Sequence, residues 1–406
     1  MAKDAGNQAT GPLHGVRVLD LSAVLLGPFA TQILGDYGAD VIKVEPPTGD
    51  LMRLNGVSKK RGMSSIFLSI NRNKRSLCID LQTAGGKAAL RKLIPTCDVV
   101  VHNMRVEAIE RLGFGYDAVR TLRPDIVYVA ATGFDQDGPD AGKPAFDDII
   151  QAASGLAAIA SIGRDAPDYV ASLIADKTSG MATVNAVLAA LFHRERTGQG
   201  QYVEVPMLET MAAFVLTEHL GGLTFDPPAG PPGYARLLQG GRKPWPTKDG
   251  HFAMLPYTGK HWRAFFEAAG RGDLNDTLAL DDRGDRNKKN AELYAVTASI
   301  TPTKTTAEWM AICEEMDIPA TPIYALGDVF NHPQLRGVGL FENHTHHSEG
   351  PIVAVRPATK FTGSPASIRR GAPQLGEHSA EVLREAGLSA SEIVTLIDKN
   401  IIQQRD

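Results

Sequence analysis

The chain has 406 residues, 43% of them hydrophobic and 22% charged, an ordinary balance for a soluble protein with room for two domains that each bury a core. Its formal charge of −4 argues against nucleic acid or an anionic membrane surface as the main partner. Cys78, Cys97 and Cys313 are too few and too scattered for a disulfide framework, which suits a cytoplasmic protein, and residues 1–11 lack the apolar core of a secretion signal.

Residues 15–45 read as strand, helix, strand. Val16, Val18, Leu19 and Leu21 make a buried strand, and Gly27-Pro28 opens a helix with Ala30, Ile33, Leu34 and Tyr37 on its inner face. Gly38 ends that helix, and the strand over 39–44 stops at Pro46-Pro47. Such a unit predicts a parallel sheet in an α/β domain, with ligands at the carboxyl end of the first strand, near 22–27. Neither a dinucleotide fingerprint nor a phosphate loop is present. Residues 51–65 form a basic loop with Lys59, Lys60 and Arg61, read as solvated or as a contact for a substrate carboxylate.

A second basic run, Asn71 to Ser76, leads into a strand over 77–81. Helix 83–94, strand 98–101, a turn at Asn103-Met104-Arg105, a short helix to Leu112 and strand 125–130 continue the alternation. The exit from that strand, with Gly133 and Gly138-Pro139, is a long loop, and 144–152 enters a helix. Lys74, Arg75, Arg105 and Arg111 are candidate phosphate partners.

Residues 170–175 form an apolar run that stops at Asp176, and a helix is predicted to follow, carrying Met181, Val184, Val187, Leu188, Leu191 and Phe192. It ends at Gly198, before a strand over 202–205 and a helix from Leu208. Asn185 and its short length keep this helix from reading as a membrane span. A carboxylate in that position reads either as a helix cap or as a nucleophile beside backbone N–H donors. Beyond Phe225 a Pro- and Gly-rich connector reaches Arg242. Strands near 251–255 and 320–324 and helices near 260–269, 288–300 and 305–316 then make a smaller α+β domain. A hairpin (341–346 and 352–355) and helices over 378–386 and 389–399 return to the first domain. His344, His346 and His347 lack the companions of a metal site, and no metal is expected.

The segment around Asp176 resembles the signature of the family III CoA-transferases. It shares the Asp, the helix, and the turn Arg194-Glu195-Arg196-Thr197-Gly198-Gln199-Gly200-Gln201. The opening Gly38-Ala39-Asp40-Val41-Ile42-Lys43-Val44-Glu45 and the late Leu375-Gly376-Glu377-His378 match it too. The resemblance implies a large Rossmann-like parallel-sheet domain (1–224) completed by the C-terminal segment (328–406), a small domain (225–327), and a homodimer of interlocked rings. It implies Asp176 as nucleophile. Its CoA contacts would fall on Val24, Leu25, Ile79, Asp80, Gln82, Asn103, Met104, Arg105, Arg111, Ala145, Phe146 and Asp147, with Gly240-Gly241 as a loop over the site. Acyl-CoA and a carboxylic acid would be substrates, with no tightly bound cofactor.

Two other readings share that fold. An α-methylacyl-CoA racemase places a His where this chain has Phe146, which cannot take a proton. A non-catalytic acyl-CoA-binding protein would have no need of Asp176. Leu25 stands where formyl-CoA transferase carries a glutamine facing its small polar acyl group. An apolar residue there favours an acyl chain with some carbon body. With Lys59, Lys60, Arg61 and Arg75 available to a distal carboxylate, succinate-like dicarboxylates are expected, with a longer monocarboxylate as the rival.

Overall fold

The computed structural model describes residues 11–238, 242–278, 280 and 289–405. The chain divides into two compact units. The first takes residues 11–157, 168–215 and 336–405; the second takes 158–167 and the described part of 216–335.

Six strands of the first unit are parallel: β1 (Arg17–Asp20), β2 (Asp40–Glu45), β3 (Lys74–Ile79), β4 (Val99–His102), β5 (Val127–Ala130) and β6 (Gln201–Glu204). They lie in the order β3-β2-β1-β4-β5-β6, and Ile402–Gln403 adds an antiparallel edge strand against β3. This is the mostly parallel sheet expected of an alternating strand–helix sequence.

The strands are apolar at successive positions because both sheet faces are covered. Val18, Val41, Val99 and Val127 pack with Ala30, Leu34, Val184 and Val187 on one face. Their neighbours Leu19, Ile42, Val100 and Tyr128 pack with Leu90, Leu93, Val382 and Leu383 on the other. The first face is covered by α1 (Leu26–Asp36) and the long helix Ile174–Thr197, the second by Ala84–Leu93 and the C-terminal helices. β1 leads outward to β2 and β3, whereas β4 leads the other way to β5 and β6. The gap between the loops after β1 and β4 is therefore the topological switch point, where open parallel sheets bind ligands.

The second unit has its own aromatic core. Phe252 stacks on Trp309, and Trp262 on Phe266. Three short antiparallel strands, Trp245–Pro246, His251–Met254 and Ala320–Pro322, pack there with helices Gly259–Ala268, Asn290–Ile300 and Thr306–Glu315. Among the described residues no helix is long and apolar enough to cross a membrane.

Three readings of the sequence need correction. The helix bearing Asp176 starts at Ile174, not after the carboxylate, so Asp176 lies in its first turn and Leu173 holds the cap position. Lys74 is wholly buried and bonded to Asp20 at 3.0 Å, so it meets no phosphate. Arg75 is spent on Asp40, Glu381 and Glu385, at 2.6, 2.7 and 2.8 Å, and is free neither for a phosphate nor for a substrate carboxylate. In the basic loop, Lys59 and Lys60 donate to backbone carbonyls of Glu349, Pro351 and Ser348.

Candidate active site

A cavity of about 330 Å³ opens at the switch point. Ala23 to Leu26 form its wall after β1, Asn103 to Val106 after β4, and Ala131 to Phe134 after β5. Asp176 faces into it from the fourth side. Of the residues implicated by resemblance, Val24, Leu25, Asn103, Met104, Arg105, Ala145 and Phe146 line the same space.

Close helix packing brings Asp176 there. Gly180 lies one turn beyond Asp176 on the same face of its helix. A Cβ on Gly180 would stand 3.0 Å from the Leu26 carbonyl and 2.9 Å from the Phe29 ring, so only glycine lets the two helices approach this far. The start of α1 is thereby set beside the first turn of the Asp176 helix. Gly133 acts similarly: a Cβ there would fall 2.3 Å from that of Ala145, so the glycine admits the segment that presents Phe146 to the cavity.

Behind the cavity, Asp147 begins the helix Asp147–Ala153 and is buried. One oxygen accepts the Asp176 backbone N–H at 3.0 Å, satisfying an orphan donor of the first turn, and the other accepts from Gln151 at 2.6 Å. Gln151 in turn holds the backbone of Val170 and Ser172. Asp147 thus supports the backbone of Asp176 and has both oxygens engaged. Among the described residues nothing donates a hydrogen bond to the Asp176 carboxylate. Burial, and then the negative charge of Asp147, push its pKa from 3.8 up to about 7.

The wall after β1 has an unusual backbone. Val24 sits at φ +70°, a left-handed conformation that a β-branched side chain adopts at a cost of about 1–3 kcal/mol. Its neighbours are tied down on every side. Asn103 takes the Ala23 N–H at 2.9 Å and donates to the Ala23 carbonyl at 2.7 Å, stapling the β1 and β4 loops across the switch point. Asp50 accepts the Val24 N–H at 3.2 Å, and Lys43 bonds Asp50 at 2.8 Å and the Ser22 carbonyl at 3.1 Å. Beside them Asp20 bonds Ser22, Thr31 and Lys74. Burial alone would raise the Asp20 pKa; Lys74 and Lys43 overcome it and hold the carboxyl at about 2. In α1 the first intrahelical donor is Phe29, and Pro28 has no N–H. The N–H groups of Leu25, Leu26 and Gly27 therefore have no acceptor among the described residues, at the end of the helix where the dipole is positive.

Other expected contacts lie elsewhere. Ile79 is core, at the carboxyl end of β3; Asp80 accepts the Gln82 N–H at 2.8 Å in the turn that follows. Arg111 is exposed in the last turn of Val106–Leu112. None of these lines the cavity, although β3 ends on the same edge of the sheet. Gly240 and Gly241 fall outside the described residues. His344, His346 and His347 turn to three different partners, Glu342, the Ala372 carbonyl and Glu377. Lys43 and Asp50 escaped the reading of the sequence, though a lysine within the apolar run Val41 to Val44 was a signal that a buried anion awaited it.

Fold and cavity together define an α/β protein with a cavity at the switch point of a parallel sheet, and a carboxylate and a helix N-terminus face the same space. The chain belongs to the CoA-transferase family III, whose model matches residues 13–379. It is 33% identical over 386 residues to the succinate–glutarate CoA-transferase of Agrobacterium fabrum, covering 92% of this chain and 95% of that one. It is 32% identical to the succinyl-CoA:mesaconate CoA-transferase of Haloarcula marismortui, over 93% and 97% of the two chains. Its fold is similar to the crystal structure of Rv3272 from M. tuberculosis, with a TM-score of 0.79 at 28% identity, over 92% of this chain and 99% of that one.

Proposed function

We propose that this CoA-transferase moves CoA from an acyl-CoA to a dicarboxylate through covalent intermediates on Asp176. The observation that carries the reading is the pairing, in one cavity, of the Asp176 carboxylate with acceptor-free N–H groups at the start of α1. A carboxylate oxygen of Asp176 attacks the thioester carbonyl, the C–S bond breaks, and CoA leaves as thiolate from a mixed anhydride. The thiolate then attacks the aspartyl carbonyl and breaks the anhydride C–O bond, releasing the first acid and leaving an aspartyl-CoA thioester. The acceptor acid runs the two steps backwards. Each addition passes through an oxyanion, and the N–H groups of Leu25, Leu26 and Gly27 are the donors assigned to it.

The acceptor class follows from the cavity wall. The side chain of Leu25 offers no donor to a formate or oxalate oxygen. Both named relatives act, by their names, on acids with four or more carbons. Arg105 and Lys143, the cations that line the cavity among the described residues, supply positive charge for a distal carboxylate or for CoA phosphates. The carboxyl end of β3 lies two strands from β1, about 10 Å away, within reach of a long CoA. Phe146 lines the cavity where the racemase reading needs a base, so proton exchange at the α-carbon is not part of the reaction.

The test joins trapping to an acceptor panel. Succinyl-CoA with hydroxylamine should convert Asp176 to its hydroxamate, and Asp176→Asn should lose at least about a thousandfold in kcat. Succinate, glutarate and mesaconate should exceed oxalate and formate in kcat/KM. Substantial transfer by Asp176→Asn would end the mechanism, and a preference for oxalate would end the reading of Leu25.

A further inference from the structure

We propose that the buried Lys43–Asp50 ion pair is a positioning device for acyl transfer, locking Val24 in the left-handed conformation that aims the start of α1 at Asp176. The proposal rests on Asp176 being the nucleophile.

Both side chains are almost wholly out of water, at 0% and 1% exposure. A buried ion pair seldom stabilises a fold more than apolar residues of the same volume would, so its presence in the middle of β2 calls for another reason. Its geometry offers one. The ammonium of Lys43 stands between two loops, donating to the Ser22 carbonyl on one side and to Asp50 on the other. Asp50 spends its second oxygen on the N–H groups of Val24 and Met52, at 3.2 and 2.9 Å. Its own N–H is fixed at 3.0 Å by Glu45, which Arg53 clamps from two sides at 2.7 Å. Asp20, bonded to Lys74, completes the charged surroundings of Lys43.

The chain of bonds therefore runs from the sheet, through Lys43 and Asp50, to the one backbone N–H of the strained residue. Released from it, a valine relaxes toward negative φ. Such a rotation swings the following peptides, which carry the N–H groups of Leu25 and Leu26. Displacement of oxyanion donors by about 1 Å costs on the order of a hundredfold in rate while leaving binding made elsewhere intact.

The experiment compares the full-length wild type with Asp50→Ala, Asp50→Asn, and Asp50→Ala combined with Val24→Gly. Single-turnover acylation by succinyl-CoA is read as hydroxamate at Asp176, beside steady-state kcat and KM and thermal melting. Asp50→Ala should lower kcat by about a hundredfold with KM for the acyl-CoA within about threefold. Asp50→Asn, which keeps an acceptor for Val24, should lose about tenfold. Val24→Gly in the Asp50→Ala background should restore at least about tenfold in kcat without restoring the melting temperature, because glycine holds φ +70° without strain. A purely structural ion pair would show no such recovery. Should Asp50→Ala fail to fold, Lys43→Met with Asp50→Asn leaves no unpaired charge and should show the same tenfold loss in kcat at unchanged KM. Acylation within threefold of wild type in the variants that fold, or a glycine that rescues nothing, overturns the proposal. Failure of the wild type itself to label Asp176 would instead overturn the nucleophile on which it rests.

Discussion

As the proposed nucleophile, Asp176 carries opposing demands: it must be ionised to attack, and its surroundings favour the proton. Burial and the charge of Asp147 raise its pKa to about 7, so kcat/KM should climb with pH and level off above about 7. Stability should move the other way. The unfolded carboxyl titrates at 3.8 and the folded one at about 7, so the fold holds a proton between these values that the unfolded chain has lost. The contribution of this group to stability is complete below about pH 4 and is lost as pH rises through 7. Asp176→Asn, which has no charge to bury, should therefore melt above the wild type at pH 8, with the gap closing toward pH 4. Melting curves across that range check it; a gap independent of pH would contradict the assigned burial of charge. The sequence made Asp176 visible as a carboxylate ending an apolar run. It could not reveal the proton affinity, because that depends on burial and then on Asp147, 29 residues earlier and brought alongside only by the packing of two helices.

At the scale of elements, the site is an agreement between α1 and the helix Ile174–Thr197. Gly180→Ala should force the pair apart, since the added methyl meets the Leu26 carbonyl and the Phe29 ring at 3.0 Å or less. Overpacking of this kind costs about 1–3 kcal/mol, and here it should also lower kcat, because Asp176 rides on the helix that is displaced. A variant that loses stability without losing kcat would show that the close approach serves the fold alone. The parallel sheet was legible in the sequence because β1, β2 and β5 are short apolar runs separated by helical spacing and glycine stops. What failed was the environment of charges. Lys74 and Arg75 read as a surface run suited to phosphates, yet β3 lies inside the sheet and sends them to opposite faces, Lys74 to the buried Asp20 and Arg75 to Asp40. A strand whose polar residues are all paired looks, in sequence, like one whose polar residues are all solvated. The short helix Ser65–Ile70 was also missed: six residues give too little periodicity, and Ser64 marks its start only through a capping bond to Phe67 that folding reveals.

At the scale of the whole molecule, the surface of the first unit carries more apolar bulk than a solvated face needs. Met181 and Phe192 on the helix Ile174–Thr197 are 52% and 63% exposed, and Phe214 on the helix Met207–His219 is 53% exposed. The helical spacing of the sequence groups Met181 and Phe192 with Val184 and Val187. The valines are buried against the sheet, whereas the two larger residues look outward. Large apolar side chains left in water along neighbouring helices are typical of a face that another chain covers. We propose a second copy of this chain, in the interlocked arrangement, as that partner. An interlocked dimer buries an area of the obligate class, well above 2,000 Å², and should not dissociate on dilution. Light scattering at micromolar and nanomolar concentrations should return twice the chain mass of 43.5 kDa at both. Phe192→Asp with Phe214→Asp should lower the yield of folded protein rather than release active monomers, since rings that thread one another form as they fold. Active, stable monomers at micromolar concentration would exclude the interlocked arrangement and leave these residues as isolated surface hydrophobics.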